Sequence, residues 1–112
     1  MPTSDPDCPF CEIVDRDDPD AREVYRDEHV VAFFPHNPAT LGHTLMIPRL
    51  HVPDIWALDE VTAEQLARAT RRLAAAVKRA VNPDGLNVIQ SNGSAASQTF
   101  SHLHIHLVPR WE

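Results

Sequence analysis

The stretch His102-Leu103-His104-Ile105-His106-Leu107-Val108-Pro109-Arg110 alternates histidine with branched apolar residues over its first six positions. A period of two is that of a β-strand, so the pattern predicts a last strand over 102–109. Its three imidazoles would lie on one face, and its apolar side chains on the other would pack into a core. Because desolvated imidazoles are costly unless each is paired, the histidine face indicates a functional site.

Three interpretations of this histidine face compete. The first is a surface strand with half-exposed polar residues, which is disfavoured because the chain concentrates three of its seven histidines here. The second is a three-histidine metal site, which is chemically sound because imidazole binds zinc, copper and nickel. The third is a nucleophilic histidine flanked by two others that orient it and handle protons.

Length, charge and hydropathy narrow the class of protein. A chain of 112 residues predicts one domain, expected over 8–112 after a flexible, Pro- and Asp-rich tail over 1–7. The net charge of −6 argues against a nucleic-acid polymer as partner, although one local pocket could still hold a small phosphorylated substrate. The sequence predicts neither a membrane span nor a signal peptide, and we therefore expect a cytoplasmic protein.

The remaining secondary structure follows from periodicity. Strands are expected over 23–26, 30–34, 43–48 and 86–90, and a short helical turn is expected at Ile13 and Val14. From residue 59 to 81 the apolar positions recur every three to four residues, which predicts one amphipathic helix. Its N-cap would be Asp59 or Thr62, and Pro83-Asp84-Gly85 would end it.

Both cysteines lie in one Cys-x-x-Cys, at Cys8-Pro9-Phe10-Cys11. Such a pair is either a redox couple or half of a zinc site. No βαβ pattern surrounds it, and the chain has histidines to spare, so the zinc interpretation is favoured.

The arrangement His-φ-His-φ-His-φ-φ over 102–108, where φ is apolar, resembles that of the histidine-triad (HIT) family of nucleotide hydrolases and transferases. The resemblance runs from Cys8 to Arg110, in the order and spacing of bacterial members. It also rests on the Cys-x-x-Cys, Gly42-His43-Thr44-Leu45-Met46-Ile47-Pro48, His51 and Gln98-Thr99-Phe100-Ser101-His102. It implies an α+β fold with a five-stranded antiparallel sheet, one long helix and one short helix. It further implies a homodimer formed through the long helix and the sheet edge.

The resemblance also implies residue roles. Zinc would be a structural cofactor held by four residues, a closed Cys₂His₂ set. His104 would attack the α-phosphorus of a nucleotide and form a covalent nucleotidyl-histidine that water hydrolyses. The implied metal ligands are Cys8, Cys11, His51 and His102; the catalytic residues are His102, His104, His106 and Thr99; and the substrate-binding residues are Phe10, Ile13, Phe33, His36, His43, Ser91, Asn92, Ser97 and Gln98.

Departures from the family pattern concern mainly the sugar. Relatives commonly carry Asp or Asn where Pro35 stands, and that side chain holds the ribose hydroxyls; proline offers no such acceptor. His36, Ser91 and Ser97 also replace residues usual in relatives. The sequence therefore predicts a nucleoside phosphoramidase or nucleotide hydrolase that either discriminates weakly between ribo- and 2′-deoxyribonucleotides or acts on a substrate that is not a standard nucleoside. The alternative is a zinc-stapled nucleotide- or protein-binding module without activity.

Overall fold

One antiparallel sheet with a helix packed on each face forms the molecule. The computed structural model describes residues 5–112. Its elements are α1 (Pro9–Val14), β1 (Arg22–Arg26), β2 (Val30–Phe34), β3 (Thr44–Pro48), α2 (Glu60–Val81), β4 (Gly85–Gln90) and β5 (Ile105–Arg110), with 3₁₀ turns at Ile55–Ala57 and Ser94–Ala96. The strand order is β1-β2-β3-β5-β4, with every pair antiparallel. The predicted α+β fold, with five antiparallel strands, one long helix and one short helix, is confirmed.

Alternation along the central strands divides the core into two clusters. On β2, Val31 and Phe33 pack on the face covered by α1, while Val30 and Ala32 pack on the face covered by α2. This follows from the pleat, which sends successive side chains to opposite faces. The α1 face also carries Cys8 and Cys11, so the cysteine pair and the histidines that it contacts lie on the same side of the sheet.

Helix α2 begins and ends close to the predicted positions. Asp59 is the N-cap, and its Oδ2 accepts a hydrogen bond of 3.2 Å from the backbone N–H of Thr62. The helix ends at Asn82, which adopts a left-handed conformation (φ 46°), one residue before the predicted Pro83. Within residues 5–112 no helix is both long and apolar enough to cross a membrane.

The last strand is shorter than predicted. It begins at Ile105, so assigning residues 102–104 to the strand was wrong. The reason is a local change of hydrogen-bond partner: Leu103 donates its backbone N–H to the carbonyl oxygen of Val52 (2.7 Å), beyond the end of β3. Leu103 and Leu107 nevertheless pack in the same α2-side cluster, so the apolar side chains still point to one face.

The N-terminal helix begins earlier than predicted, at Pro9 rather than Ile13, because proline at the first position preorganises the first turn. Before it, residues 5–7 form a turn in which the carbonyl oxygen of Asp5 accepts from the backbone N–H of Cys8 (3.1 Å). The first four residues of the predicted tail lie outside the described residues.

Candidate active site and metal centre

Four side chains from three segments converge at one end of the sheet. Cys8 is the N-cap of α1 and Cys11 lies within that helix, His51 follows β3, and His102 precedes β5. Their potential ligand atoms all lie within 4.8 Å of one another. The sulfur–nitrogen distances are 3.4 Å from Cys8 to His102, 3.3 Å from Cys11 to His51 and 3.6 Å from Cys11 to His102. In all three, the nitrogen is Nδ1.

These distances fit a tetrahedral zinc site. With Zn–S of about 2.3 Å and Zn–N of about 2.0–2.1 Å, sulfur and nitrogen ligands stand about 3.6 Å apart. The Nε2 of His102 bonds the carbonyl oxygen of Pro48 (2.9 Å), so it carries the proton and Nδ1 keeps its lone pair for a metal. Burial lowers the pKa of His102 to about 4, which favours the neutral ring that a ligand must have. The cluster is a Cys₂His₂ site of the closed, structural kind, made by the four residues named from the sequence.

The triad histidines do not form a metal site of their own. Among the described residues, the one group of three or more candidate ligands that converges is Cys8, Cys11, His51 and His102. The Nδ1 of His104 points to the carbonyl oxygen of His102, and that of His106 faces His43. The three-histidine metal interpretation was therefore wrong, because neighbouring backbone and side-chain groups direct the three rings to different partners.

His104 has one ring nitrogen engaged and one available. Its Nδ1–H donates to the carbonyl oxygen of His102 (2.8 Å), so the lone pair lies on Nε2. The ring is buried, and Phe10 stands edge-on to it with ring centroids 5.2 Å apart. A neutral imidazole held in one tautomer with a free Nε2 is equipped for nucleophilic attack.

His43 and His106 form a hydrogen-bonded relay whose direction is set by the backbone. The N–H of Ala39 donates to Nδ1 of His43 (2.9 Å), so the proton of His43 lies on Nε2. That Nε2–H donates to Nδ1 of His106 (3.0 Å), which places the proton of His106 on its own Nε2. Burial lowers the pKa of His43 and lowers that of His106 to about 4, so both rings stay neutral at neutral pH. His106, whose ring centroid is 5.2 Å from that of His104, thus carries an N–H beside the His104 ring.

A cavity of about 560 Å³ opens beside this histidine group. That volume is typical of sites for small organic molecules. Among the predicted site residues, Phe10, Ile13, Phe33, His36 and Thr99 line it together. Phe10 joins the cavity to the triad, because its ring also contacts those of His102 and His104.

The other predicted polar residues lie on the loop between β4 and β5. Gln98 donates to the carbonyl oxygens of Pro53 (2.6 Å) and Phe100 (2.8 Å) and accepts from Gly93 N–H (2.7 Å). Asn92 accepts from Ile55 N–H (2.7 Å) and exchanges two bonds with the Gln90 amide. These two side chains hold the loop in shape, and their contact with substrate stays a prediction.

Two serines complete this loop. Ser91 directly follows β4 and is half-buried, whereas Ser97 is exposed. Ser97 has a left-handed backbone (φ 71°), a conformation that glycine adopts at lower cost. This accounts for the glycine that is frequent at the position in relatives. Substrate contacts by either serine stay predictions.

Sequence reasoning missed several residues that line the cavity. Phe100 was quoted only as part of a motif, yet its ring packs on Phe10 with centroids 4.9 Å apart. Its position directly after Thr99, a predicted site residue, could have identified it. Asp18 and Ala21 offered none, because they belong to an acidic turn that comes to the cavity only through strand pairing. Pro35, which the sequence predicts to lie at the sugar, also lines the cavity, and the missed lining residues are Pro9, Asp18, Ala21, Phe34, Asn37, Leu45 and Phe100.

Comparison with known proteins gives consistent matches. The HIT domain family model matches residues 16–112. Protein hit of Bacillus subtilis is 39% identical over 104 residues, covering 93% of this chain and 71% of that protein. Adenylylsulfatase HINT3 of Arabidopsis thaliana is 32% identical over 106 residues, covering 95% of this chain and 53% of that protein. The crystal structure of a zinc-bound histidine triad family protein from Mycobacterium smegmatis superposes with a TM-score of 0.87 at 38% identity, covering 93% of this chain and 75% of that chain.

Proposed function

The chain belongs to the HIT family, and from that premise we propose that it cleaves nucleotides at the α-phosphate with His104 as the nucleophile. One observation carries the proposal. The Nδ1–H of His104 is fixed on a backbone carbonyl, so its lone pair lies on Nε2, and the ring packs against Phe10, which lines a cavity of nucleoside size. Family membership supports the general reaction class, because HIT proteins in general hydrolyse or transfer nucleotides.

The proposed reaction has two steps. In the first, Nε2 of His104 forms a bond to the α-phosphorus, and the bond from phosphorus to the leaving group breaks, with its electron pair going to the leaving group. In the second, a water oxygen attacks the same phosphorus, and the N–P bond breaks to restore neutral His104. Over both steps, the attacking water gives up one proton, which an amine leaving group takes up and which goes to solvent when sulfate leaves, so the balance is hydrolysis.

Neutral donors would stabilise the developing phosphate charge. The relay from Ala39 through His43 leaves His106 with an outward N–H, which is suited to donate to a phosphate oxygen. Thr99, which lines the cavity, is placed in the proposal to donate to the leaving group. Zinc, when bound, supplies only a structural tie between α1, the segment after β3 and the segment before β5.

Within this class we favour small leaving groups. A nucleoside phosphoramidate or a mixed anhydride such as adenylylsulfate fits the proposal better than a dinucleoside polyphosphate. The relative named an adenylylsulfatase supports inclusion of adenylylsulfate among the substrates to be tested.

The test compares His104→Ala with His29→Ala. His29 is a matched control, because it lies between β1 and β2 with a half-exposed ring whose one ion pair, to Glu28, spans 4.0 Å. Each protein is incubated with adenosine 5′-phosphoramidate and with adenylylsulfate, and AMP release is measured by chromatography. We expect His104→Ala to lower turnover by roughly 10⁴-fold or more, as deletion of a nucleophile does, and His29→Ala to match the wild type.

Other outcomes decide between the candidate functions. Near-wild-type turnover by His104→Ala would contradict the proposed nucleophile. Binding of AMP by wild-type protein with no release of AMP from either substrate would favour the zinc-stapled binding module. An acid-labile nucleotidyl label on His104, trapped by rapid quenching, would support the covalent route.

We also propose that the protein is a homodimer in the cytoplasm. β4 lies at the sheet edge with Val88 and Ile89 exposed, at 51% and 40%, which would suit pairing with a second copy. Two thiols that must stay reduced to bind zinc suit a reducing compartment. Light scattering measures the mass in solution, and we expect the mass of two chains rather than one.

A further inference from the structure

The cavity beside Phe10 is apolar along most of its wall. Its aromatic and aliphatic lining includes Phe10, Phe33, Leu45 and Phe100, which offer surfaces for a flat ring. Its polar lining includes His36, Asn37 and Asp18. Of the lining residues, Asp18 alone is acidic.

Strand pairing accounts for the position of Asp18. Arg22 at the start of β1 pairs with Phe34 at the end of β2, so residues 18–21 leave the sheet beside residues 35–37. The carbonyl oxygen of Asp18 accepts from the backbone N–H of Ala21 (3.4 Å), which closes the turn just before β1. Asp18 and Pro35 thereby line the same cavity, although 17 positions separate them in the sequence.

The carboxylate of Asp18 is only partly used by the protein. Its Oδ1 accepts from the backbone N–H of Asp20 (2.9 Å). Within residues 5–112 its Oδ2 has no protein donor, and the residue is half-buried. A carboxylate oxygen that is partly withdrawn from water at a cavity wall gains from a ligand that can donate to it.

We propose that Asp18 is a specificity-determining residue, whose carboxylate accepts hydrogen bonds from the vicinal hydroxyls of a ribonucleoside. The inference rests on the proposed function, because it needs the cavity to hold a nucleoside. A base on the aromatic wall and a phosphate at His104 leave the sugar between them. An ionised carboxylate is the usual partner of ribose hydroxyls in nucleotide sites, since it has acceptors only and two oxygens.

This inference changes the expectation drawn from Pro35. The sequence predicts weak discrimination because proline cannot accept from the sugar. The structure places another acceptor in the wall of the same cavity, on the turn before β1 rather than at the end of β2. We therefore expect the protein to prefer ribonucleotides.

The test measures equilibrium binding, which needs no turnover. Titration calorimetry of the full zinc-loaded chain with AMP and with 2′-deoxy-AMP gives a ratio of dissociation constants. In the wild type we expect AMP to bind about tenfold or more tightly, the usual scale for a hydrogen bond to a charged group. In Asp18→Asn, which keeps an oxygen for the Asp20 N–H, we expect AMP to lose most of that advantage while 2′-deoxy-AMP changes little.

Two further variants make the test specific. Asp17→Asn removes an equal charge from the same acidic segment, but Asp17 is exposed and lines a different cavity, so the wild-type ratio should persist. His36→Ala tests the imidazole that lines the same cavity, and it should lower the ratio less than Asp18→Asn does. A ratio near one in the wild type, or an unchanged ratio in Asp18→Asn, would overturn the inference.

The outcome is separable from that of the proposed function. If AMP binds with the expected ratio but neither substrate is cleaved, catalysis by His104 fails and the role of Asp18 stands. If substrates are cleaved but the ratio is near one in every variant, the role of Asp18 fails and catalysis stands.

Discussion

His102 and His104 are separated by one residue, and each has one ring nitrogen on a backbone carbonyl, but the two rings use opposite nitrogens. His102 gives Nε2 to Pro48, which leaves Nδ1 for the metal cluster. His104 gives Nδ1 to the carbonyl oxygen of His102, which leaves the lone pair on Nε2, and its ring packs against the cavity-lining Phe10. The first region, which we call the metal corner, is Cys8, Cys11, His51 and His102; the second, the relay corner, is His43, His104 and His106.

The difference shows that the backbone, more than the residue type, assigns these imidazoles their roles. A carbonyl oxygen can accept only from the protonated nitrogen, so its position decides which lone pair remains. In the metal corner that lone pair faces the other candidate ligand atoms, whereas in the relay corner it belongs to a ring that packs against the cavity-lining Phe10. Changes in the metal corner should therefore cost stability, and changes in the relay corner should cost turnover.

The largest expected effect on stability is in the metal corner. Cys8→Ser, or chelation of the wild type, should lower the unfolding midpoint by roughly 10 °C or more, because a structural zinc contributes several kcal/mol to a small domain. Turnover by the fraction that stays folded should change only a few-fold. Differential scanning calorimetry with parallel assays below the transition measures both quantities.

Zinc titration provides the control for this experiment. Added zinc should restore the midpoint of chelated wild type to its starting value, while Cys8→Ser, which lacks one thiolate, should recover only in part. Equal midpoints for metal-loaded and chelated wild type would remove the distinction between the two corners. So would a loss of turnover in Cys8→Ser as deep as that in His104→Ala.

Periodicity predicted one part of this arrangement and could not predict the other. The alternation over 102–108 placed Leu103 and Leu107 correctly on the core side, because side-chain direction follows the pleat even where the ladder ends. It could not show that Leu103 would bond Val52 and end the strand at Ile105. That hydrogen bond depends on the path of the loop after β3, and the sequence of this loop shows no hydrophobic periodicity from which its path could be predicted.

The candidate site divides in the same way. Cys8 and Cys11 carry a signal in their own spacing, and the resemblance supplied His51 and His102, which the structure brings within 4.8 Å of them. The Ala39–His43–His106 relay and the position of Asp18 carry no such signal. They arise from strand register and loop closure, which bring together residues 63 positions apart in the case of His43 and His106.

A smaller effect is expected at His43, which acts through His106. His43→Leu removes the donor that fixes the His106 tautomer, and turnover should fall by about a hundredfold, within the range for lost proton-handling groups. His43→Gln can still accept from Ala39 N–H and donate to His106, so it should retain more activity than His43→Leu. Thermal midpoints of the two variants should lie close together, which separates positioning from general damage to the fold.

The pH dependence of turnover gives the finest test of the relay. In the wild type the pKa of His106 is lowered to about 4, by burial first and then by the nearby His104 and His43. Because His106 is neutral at neutral pH, its protonation should not change turnover there, and turnover should fall as the pH drops toward 4.

The His43→Leu variant should shift this fall in turnover. A second proton on His106 would have to sit on Nδ1, where it would face the N–H of His43. In His43→Leu that opposing N–H is gone, so His106 should protonate more readily and the acid limb should move to higher pH. Circular dichroism at each pH keeps the comparison within folded protein. An acid limb at the same pH in both proteins would mean that His43 does not set the protonation of His106.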